Sequence, residues 1–311
     1  FFSAMPSVIL ATAGYDHTIR FWEAPSGTCY RTIQLGAGET QVNCMRITPD
    51  KQSIAAGGNP NVRLYEVTTN NSSPTSSFDG HTSNVTGLGF EKEGKWMYTG
   101  SEDGTVKIWD LRAPGSQRNF ECGAAVNSVT LHPNQAELIS GQQNGTVRVW
   151  DLNSGQCTKE LVPEGEIAIR SVHVSPNATT LVAANNTGSA YLWKMSGGNT
   201  DLEPIQKLQA HTKYCLKTLF SPNSKYLATT SADKTIKVWT LNKSQQYSLV
   251  KELKGHGKWV WDCVFSVDSA YLVSASSDQT ARLWDISQGG SIRQYSGHSK
   301  AVTSVALTDN Q

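Results

Sequence analysis

Residues 80–112 read GHTSNVTGLGFEKEGKWMYTGSEDGTVKIWDLR. Apolar residues alternate through VTGLGF and TVKIW, as they do in strands that bury one face. Between them, EKEG and SEDGT are tight-turn strings in which Gly and Asp supply hairpin chemistry. The stretch therefore predicts a run of short strands joined by tight turns. Segments of the same form recur along the chain: HTIRFW, NVRLYE, TVKIWD, TVRVWD, SAYLWK, TIKVWT and TARLWD. Their aromatics are Trp22, Tyr65, Trp109, Trp150, Trp193, Trp239 and Trp284, at successive spacings of 43, 44, 41, 43, 46 and 45 residues.

A period near 44 fits into 311 residues about seven times. Four short strands per unit at that period predict an all-β, seven-bladed β-propeller over 1–311. Six residues before most of the aromatics stands a turn residue: Asp16, Asn59, Asp103, Asn144, Asp233 and Asp278. The fifth unit departs, with Thr187 there. His81, His211 and His256 each precede their unit's Asp by 22 residues, and His298 follows another Gly.

With those spacings the chain resembles the WD-repeat family over its whole length. In that family a His, the turn Asp, a strand Ser or Thr and the Trp form a hydrogen-bonded tetrad. The resemblance implies the sets His81–Asp103–Trp109 (with Thr99 or Ser101), His211–Asp233–Trp239 and His256–Asp278–Trp284. A buried Asp needs such a partner and an indole N–H needs an acceptor. The first segment holds Asp16 and Trp22 but lacks an inner strand, whereas the chain ends on a Gly-His and one strand. A C-terminal strand near Ala301–Thr308 is thus expected inside the first blade. His298 would then meet Asp16, Trp22 and Thr12 and leave no open edge. Residues 1–6, with FFSA before Met5, read as a disordered start or an expression scar.

Composition narrows the function. Lys plus Arg is 27 and Asp plus Glu 26, a net charge of +1. That balance excludes a sequence-blind nucleic-acid binder, which needs a basic stripe. No apolar run spans a bilayer, and no signal-like start is present. Six scattered cysteines without a CxxC pair form neither a disulfide framework nor a zinc site. His17, His132 and His173 have no partner at metal-ligand spacing. Gly89–Lys95 matches the opening of a phosphate-binding loop, but Trp96 replaces the Ser or Thr, between strands instead of before a helix. A Ser/Thr–His–Asp constellation repeated in blade after blade is structural, because a catalyst needs only one. Neither an enzyme nor a cofactor site is expected.

The resemblance implies that partners dock on the face where each inner strand starts. Aligning TQVNCM, SNVTGL, AAVNSV, IAIRSV, KYCLKT, KWVWDC and KAVTSV shows which blades carry large side chains there. Trp259 and Trp261, two apart on one strand, project to the same side. Together with Tyr214, Gln41 and Asn43 they form an arc over blades six, seven and two. The pair reads either as a plug in the narrowing of the ring or as an aromatic hot spot, the reading adopted for partner binding.

Local strings, including QVNCMRITPD, GKWMYTGSEDGTVKIWDLR and GKWVWDCVFS, closely resemble the small propeller subunits of TOR kinase complexes, the lethal-with-SEC-thirteen family. The connections TTNNSSPTSSFDG and KMSGGNTDLEPIQKLQAH depart from that pattern. The resemblance implies a non-catalytic scaffold shared by TOR complexes 1 and 2, seated on the kinase C-lobe and supporting its active site. It also implies a cytoplasmic location with peripheral association to endomembranes. Other complex subunits would be reached through the kinase, without nucleic acid or membrane insertion. Two rival classes remain. A heterotrimeric G-protein β-subunit would carry a heptad helix before its first blade, whereas here a strand starts by about Ser7. A cullin-RING substrate receptor is suggested by Trp109-Asp110-Leu111-Arg112.

Overall fold

Seven four-stranded antiparallel sheets form from the turn-and-alternation pattern in a computed structural model that describes residues 8–36, 41–196 and 201–309. Residues 1–6, and with them the expected scar, lie outside the described residues. No helix occurs among those described, hence none long and apolar enough to cross a membrane. The innermost strands are Val302–Asp309, Cys44–Ile47, Val85–Phe90, Val126–Leu131, Ile169–Val174, Cys215–Phe220 and Val260–Phe265, for blades 1 to 7. Each packs on the next, and the seventh returns to the first, so the blades close around a channel.

Closure follows the expected route with a shift of one residue: the C-terminal strand is Val302–Asp309, not 301–308. It pairs with Val8–Gly14 from Val8↔Asp309 to Gly14↔Val302.

Hydrophobic burial lies between blades. The described residues form seven apolar clusters, each built from two neighbouring sheets. Ile9 and Phe21 of blade 1, for example, pack with Met45 and Ile54 of blade 2. Leu10 and Trp22, on the opposite face of blade 1, pack with Val273 and Tyr295 of blade 7. Alternation along each strand thus feeds two cores at once. The outermost strands bury little: in Ser116–Glu121 only Phe120 is buried, and in Gly290–Ser296 only Tyr295.

Four blades carry a complete polar relay. In blade 3, His81 Nδ1 meets Asp103 Oδ2 at 2.8 Å and Nε2 meets Thr99 Oγ1 at 2.7 Å, while Trp109 Nε1 donates to Thr99 Oγ1 at 2.8 Å. Thr99, not Ser101, is the hydroxyl; Ser101 Oγ instead accepts from the Asp103 N–H. Blades 6 and 7 repeat the geometry through Thr229 and Ser274. In blade 1 the relay crosses the chain ends: His298 joins Asp16 at 2.8 Å and Thr12 at 2.7 Å, and Trp22 donates to Thr12.

With Nδ1–H given to the carboxylate, Nε2 accepts from the hydroxyl, whose oxygen accepts from the indole. Every proton then has one acceptor, with the imidazole neutral. Blade 4 keeps only the indole bond, Trp150 to Ser140 at 2.9 Å. Blade 5 caps its irregular turn with Glu164, which accepts from Asn185 Nδ2 at 2.8 Å and from Thr187 Oγ1 at 3.2 Å.

Burial alone would raise the carboxyl pKa values of the four relay Asp residues. Hydrogen bonds from His, Thr and backbone N–H hold Asp16, Asp103, Asp233 and Asp278 below the usual carboxylate range instead. Burial also lowers His81, and it pushes His173 down to about 3, with Lys217 and Arg46 adding to the effect.

Two outcomes are expected. Deleting the chain after Gly297 removes an innermost strand and half a relay, costing more than about 5 kcal/mol, a large part of typical domain stability. The thermal midpoint should collapse; an unchanged midpoint would contradict ring closure. Separately, all these shifted groups bind protons more readily when unfolded, so stability falls with pH. Loss should begin near pH 6.5, from His81 and His173, and steepen below about pH 4.5 as unfolded carboxylates take up protons. A melting midpoint flat from pH 7 to 3 would exclude this.

Candidate functional site at the channel mouth

One local distortion shapes the face where the innermost strands begin. Pairing to the second strand skips a residue between Val85 and Gly87, Val126 and Ser128, Ile169 and Ser171, Cys215 and Lys217, and Val260 and Asp262. The same skip falls between Val302 and Ser304 in blade 1. The extra residues are Thr86, Asn127, Arg170, Leu216, Trp261 and Thr303. A β-bulge leaves its residue unpaired and re-aims its side chain, and all six line a mouth cavity of about 440 Å³.

What the bulge residue does divides the ring. Thr303 Oγ1 donates to Val42 O at 2.5 Å, Thr86 Oγ1 to Val126 O at 2.6 Å, and Asn127 Nδ2 to Ile169 O at 2.8 Å, each reaching the following blade. Asn43 Nδ2 reaches Asn84 Oδ1 of blade 3 at 3.3 Å. In blades 5 to 7 no such bond crosses among the described residues. Arg170 Nε turns to Asn186 of its own blade at 2.7 Å, Trp261 Nε1 to Ser277 of its own blade at 2.6 Å, and Leu216 has no donor. That side of the mouth presents its large side chains to solvent.

All five expected residues, Gln41, Asn43, Tyr214, Trp259 and Trp261, line this cavity. Trp259 stands against Trp261 with ring centroids 5.5 Å apart, and Tyr214 meets Trp259 edge-on at 5.9 Å and 77°. Tyr214 is 43% exposed and Trp259 38%; Trp261 is half-buried. The tryptophans share a side for a different reason than simple alternation. Trp259 precedes its strand, which starts at Val260, and Trp261 is the bulge residue. Asn43 belongs to the stitched half, its amide being engaged by Asn84 and Gly58.

Tyr15 was missed. It lies 38% exposed on the same mouth, in the hairpin turn of blade 1 immediately before Asp16. Its N–H donates to Ala301 O at 3.0 Å, which seats it beside the closing strand. Aligning the residue before each turn position (Tyr15, Gly58, Glu102, Gln143, Asn186, Ala232, Ser277) would have singled it out.

A family model described as the first β-propeller of IFT122 matches residues 41–311. The chain is 51% identical over 307 residues to the target of rapamycin complex subunit wat1 of Schizosaccharomyces pombe, covering 98% of this chain and 97% of that protein. It is 49% identical to the target of rapamycin complex subunit LST8 of Saccharomyces cerevisiae over 97% of this chain and 99% of that one. Identity to the protein LST8 homolog of Dictyostelium discoideum is 60% over 236 residues, 76% of this chain and 77% of that one. The chain belongs to the LST8 family of β-propellers.

In this LST8-family ring the residues of the other sequence signals are bonded within the fold. Gly89–Lys95 spans the end of one strand and a hairpin turn, where Glu91 accepts the N–H groups of Glu93 and Lys95. Trp109 is fully buried in its relay, and Arg112 makes two hydrogen bonds to the carboxylate of Asp110. His132 Nδ1 accepts from the Asn134 N–H, and His173 Nδ1 from the Phe220 N–H. No group of His, Cys, Asp and Glu suited to a metal ion is found among the described residues.

Proposed function

We propose that this protein is a non-catalytic subunit of TOR kinase complexes 1 and 2. In this reading it docks on the C-lobe of the kinase domain, supports the active site, and meets the remaining subunits through the kinase. The observation that carries the reading is near-full-length identity of about half to two relatives named as target of rapamycin complex subunits. The mouth geometry fits it. A Tyr–Trp–Trp arc with Tyr214 and Trp259 exposed and Trp261 half-buried, freed from blade stitching, offers large rigid apolar surfaces of the kind that dominate binding energy. Trp259 and Trp261 are the anchors, with Gln41, Asn43 and Tyr214 around them.

A lack of catalysis fits the relays. Each Ser or Thr oxygen is buried and bonded on both sides, to an indole and an imidazole, and the arrangement occurs in four blades. No oxygen there is open to a substrate. A cytoplasmic location, with peripheral association to endomembranes through the complex, belongs to the same proposal.

The test measures kinase-domain affinity and thermal midpoint together. Trp259→Ala and Trp261→Ala should each weaken TOR kinase binding by about 2 kcal/mol or more, roughly thirtyfold, with little change in the melting curve. Full affinity at unchanged stability in both variants would move the docking site to the opposite face. Binding should also depend only modestly on salt, because the arc is aromatic and amide and the chain's net charge is +1. A pull-down that recovers a cullin-ligase adaptor and no kinase would replace the reading outright.

A further inference from the structure

Below the mouth, the channel holds a charge arrangement that neither the relays nor the docking arc uses. The residue after each bulge faces its neighbours around the channel, and several join the next blade. Ser128 Oγ accepts from the Val172 N–H at 3.1 Å, Ser171 Oγ from the Thr218 N–H at 2.9 Å, and Asp262 Oδ2 from the Val305 N–H at 3.2 Å. Blade 6 has Lys217 at that position. An ammonium cannot accept, and the corresponding N–H, of Cys263, bonds to Asp262 Oδ1 at 3.0 Å. Lysine here forgoes a blade-to-blade bond that a serine could make.

Its charge is balanced only in part, by an ion pair to a carboxylate that Arg46 shares. Lys217 Nζ lies 3.6 Å from Asp262 Oδ1 and Arg46 Nη1 3.8 Å from Asp262 Oδ2, both beyond hydrogen-bonding reach. The Asp262 oxygens are taken by Ser304 Oγ at 3.1 Å and by the two backbone N–H groups. Among the described residues Arg46 makes one close bond, to Met45 O at 2.8 Å. Lys217 has no acceptor within reach among the described residues. Two cations therefore share one carboxylate already occupied elsewhere, which leaves an excess positive charge inside the channel.

Both cations line the 440 Å³ cavity, and Arg46 also lines a second cavity of about 260 Å³ on the channel. The other charged residues on the larger cavity, Arg170 and Glu102, offset one another. Buried and neutral, His173 adds no compensation. The Lys217 side chain is only 22% exposed, and excess charge so withdrawn from solvent is costly without a counter-ion. A tetrahedral oxyanion accepts from an ammonium and a guanidinium at once, and the guanidinium fork suits it.

We propose that the central channel binds a phosphate-class oxyanion, inorganic phosphate or a phosphate monoester, between Lys217 and Arg46. The proposal is independent of kinase docking, since it uses neither tryptophan. The test titrates inorganic phosphate and glycerol phosphate into the full chain at constant ionic strength set with chloride, reading heat and thermal midpoint. Saturable binding that raises the midpoint is expected; the tighter of the two ligands identifies free ion or monoester. Lys217→Ser supplies a hydroxyl acceptor for the Cys263 N–H, so it should fold at least as well in chloride. Its phosphate affinity should fall roughly thirtyfold or more, and that of Arg46→Gln likewise. Absence of saturable binding by the unaltered protein overturns the site. So does unchanged affinity in Arg46→Gln, even if Lys217→Ser were to misfold.

Discussion

No blade of this protein owns a hydrophobic core. Each apolar cluster is shared by two neighbouring sheets, so a single four-stranded unit would expose both of its faces. Removing one blade would therefore expose two clusters, one on each side. Stability of this kind is a sum of nearest-neighbour interfaces, and in a ring the sum includes the joint between the chain's two ends. Blade 1, made from Val302–Asp309 and the first three strands, is that joint. Its strands supply Phe21 to one cluster and Trp22 to the other.

Polar chemistry sets the geometry that burial alone leaves loose. The relay from indole to hydroxyl to imidazole to carboxylate runs in one direction, and reversing any bond would strand a donor. It also fixes the hairpin between the second and third strands of each blade that carries it. The residue after the turn acid has positive φ at His17, Lys234 and Gln279, where no glycine eases the turn, and the acid holds each turn by accepting the next N–H. Bulges add a second layer of control. Where the bulge residue is Thr or Asn it ties one blade to the next; where it is Arg, Leu or Trp the tie is absent and the surface becomes available. One backbone irregularity, repeated six times, thus serves both cohesion and recognition.

Much of this was legible in the sequence, for a physical reason. The aromatic period and the 22-residue His–Asp interval are set by covalent spacing within a blade, so they survive as countable intervals. Blade closure was legible too, because one end lacked a strand that the other supplied. What remained hidden depends on register. Nothing in KWVWDC marks Trp261 as a bulge residue, since the skip exists only against the facing strand. The hydroxyl of blade 3 stayed ambiguous between Thr99 and Ser101 because both are polar and two apart, on the same face. Glu164 was invisible as a cap because it lies outside the period. Tyr15 went unnoticed because it sits in a turn, while the comparison that found Trp259 was confined to strands.

Closure between the ends also imposes a delay on assembly. Thr12 and His298 are 286 residues apart. At a ribosomal rate of roughly 5–20 residues per second, the later partner emerges some 15–60 s after the earlier one. Throughout that interval Val8–Gly14 has one hydrogen-bonding edge unsatisfied, and Ile9 and Leu10, fully buried in the finished ring, lack their final neighbours. Such an edge is a template for any other extended chain nearby. Nascent molecules on one messenger therefore present matching open strands to each other before any of them can complete itself.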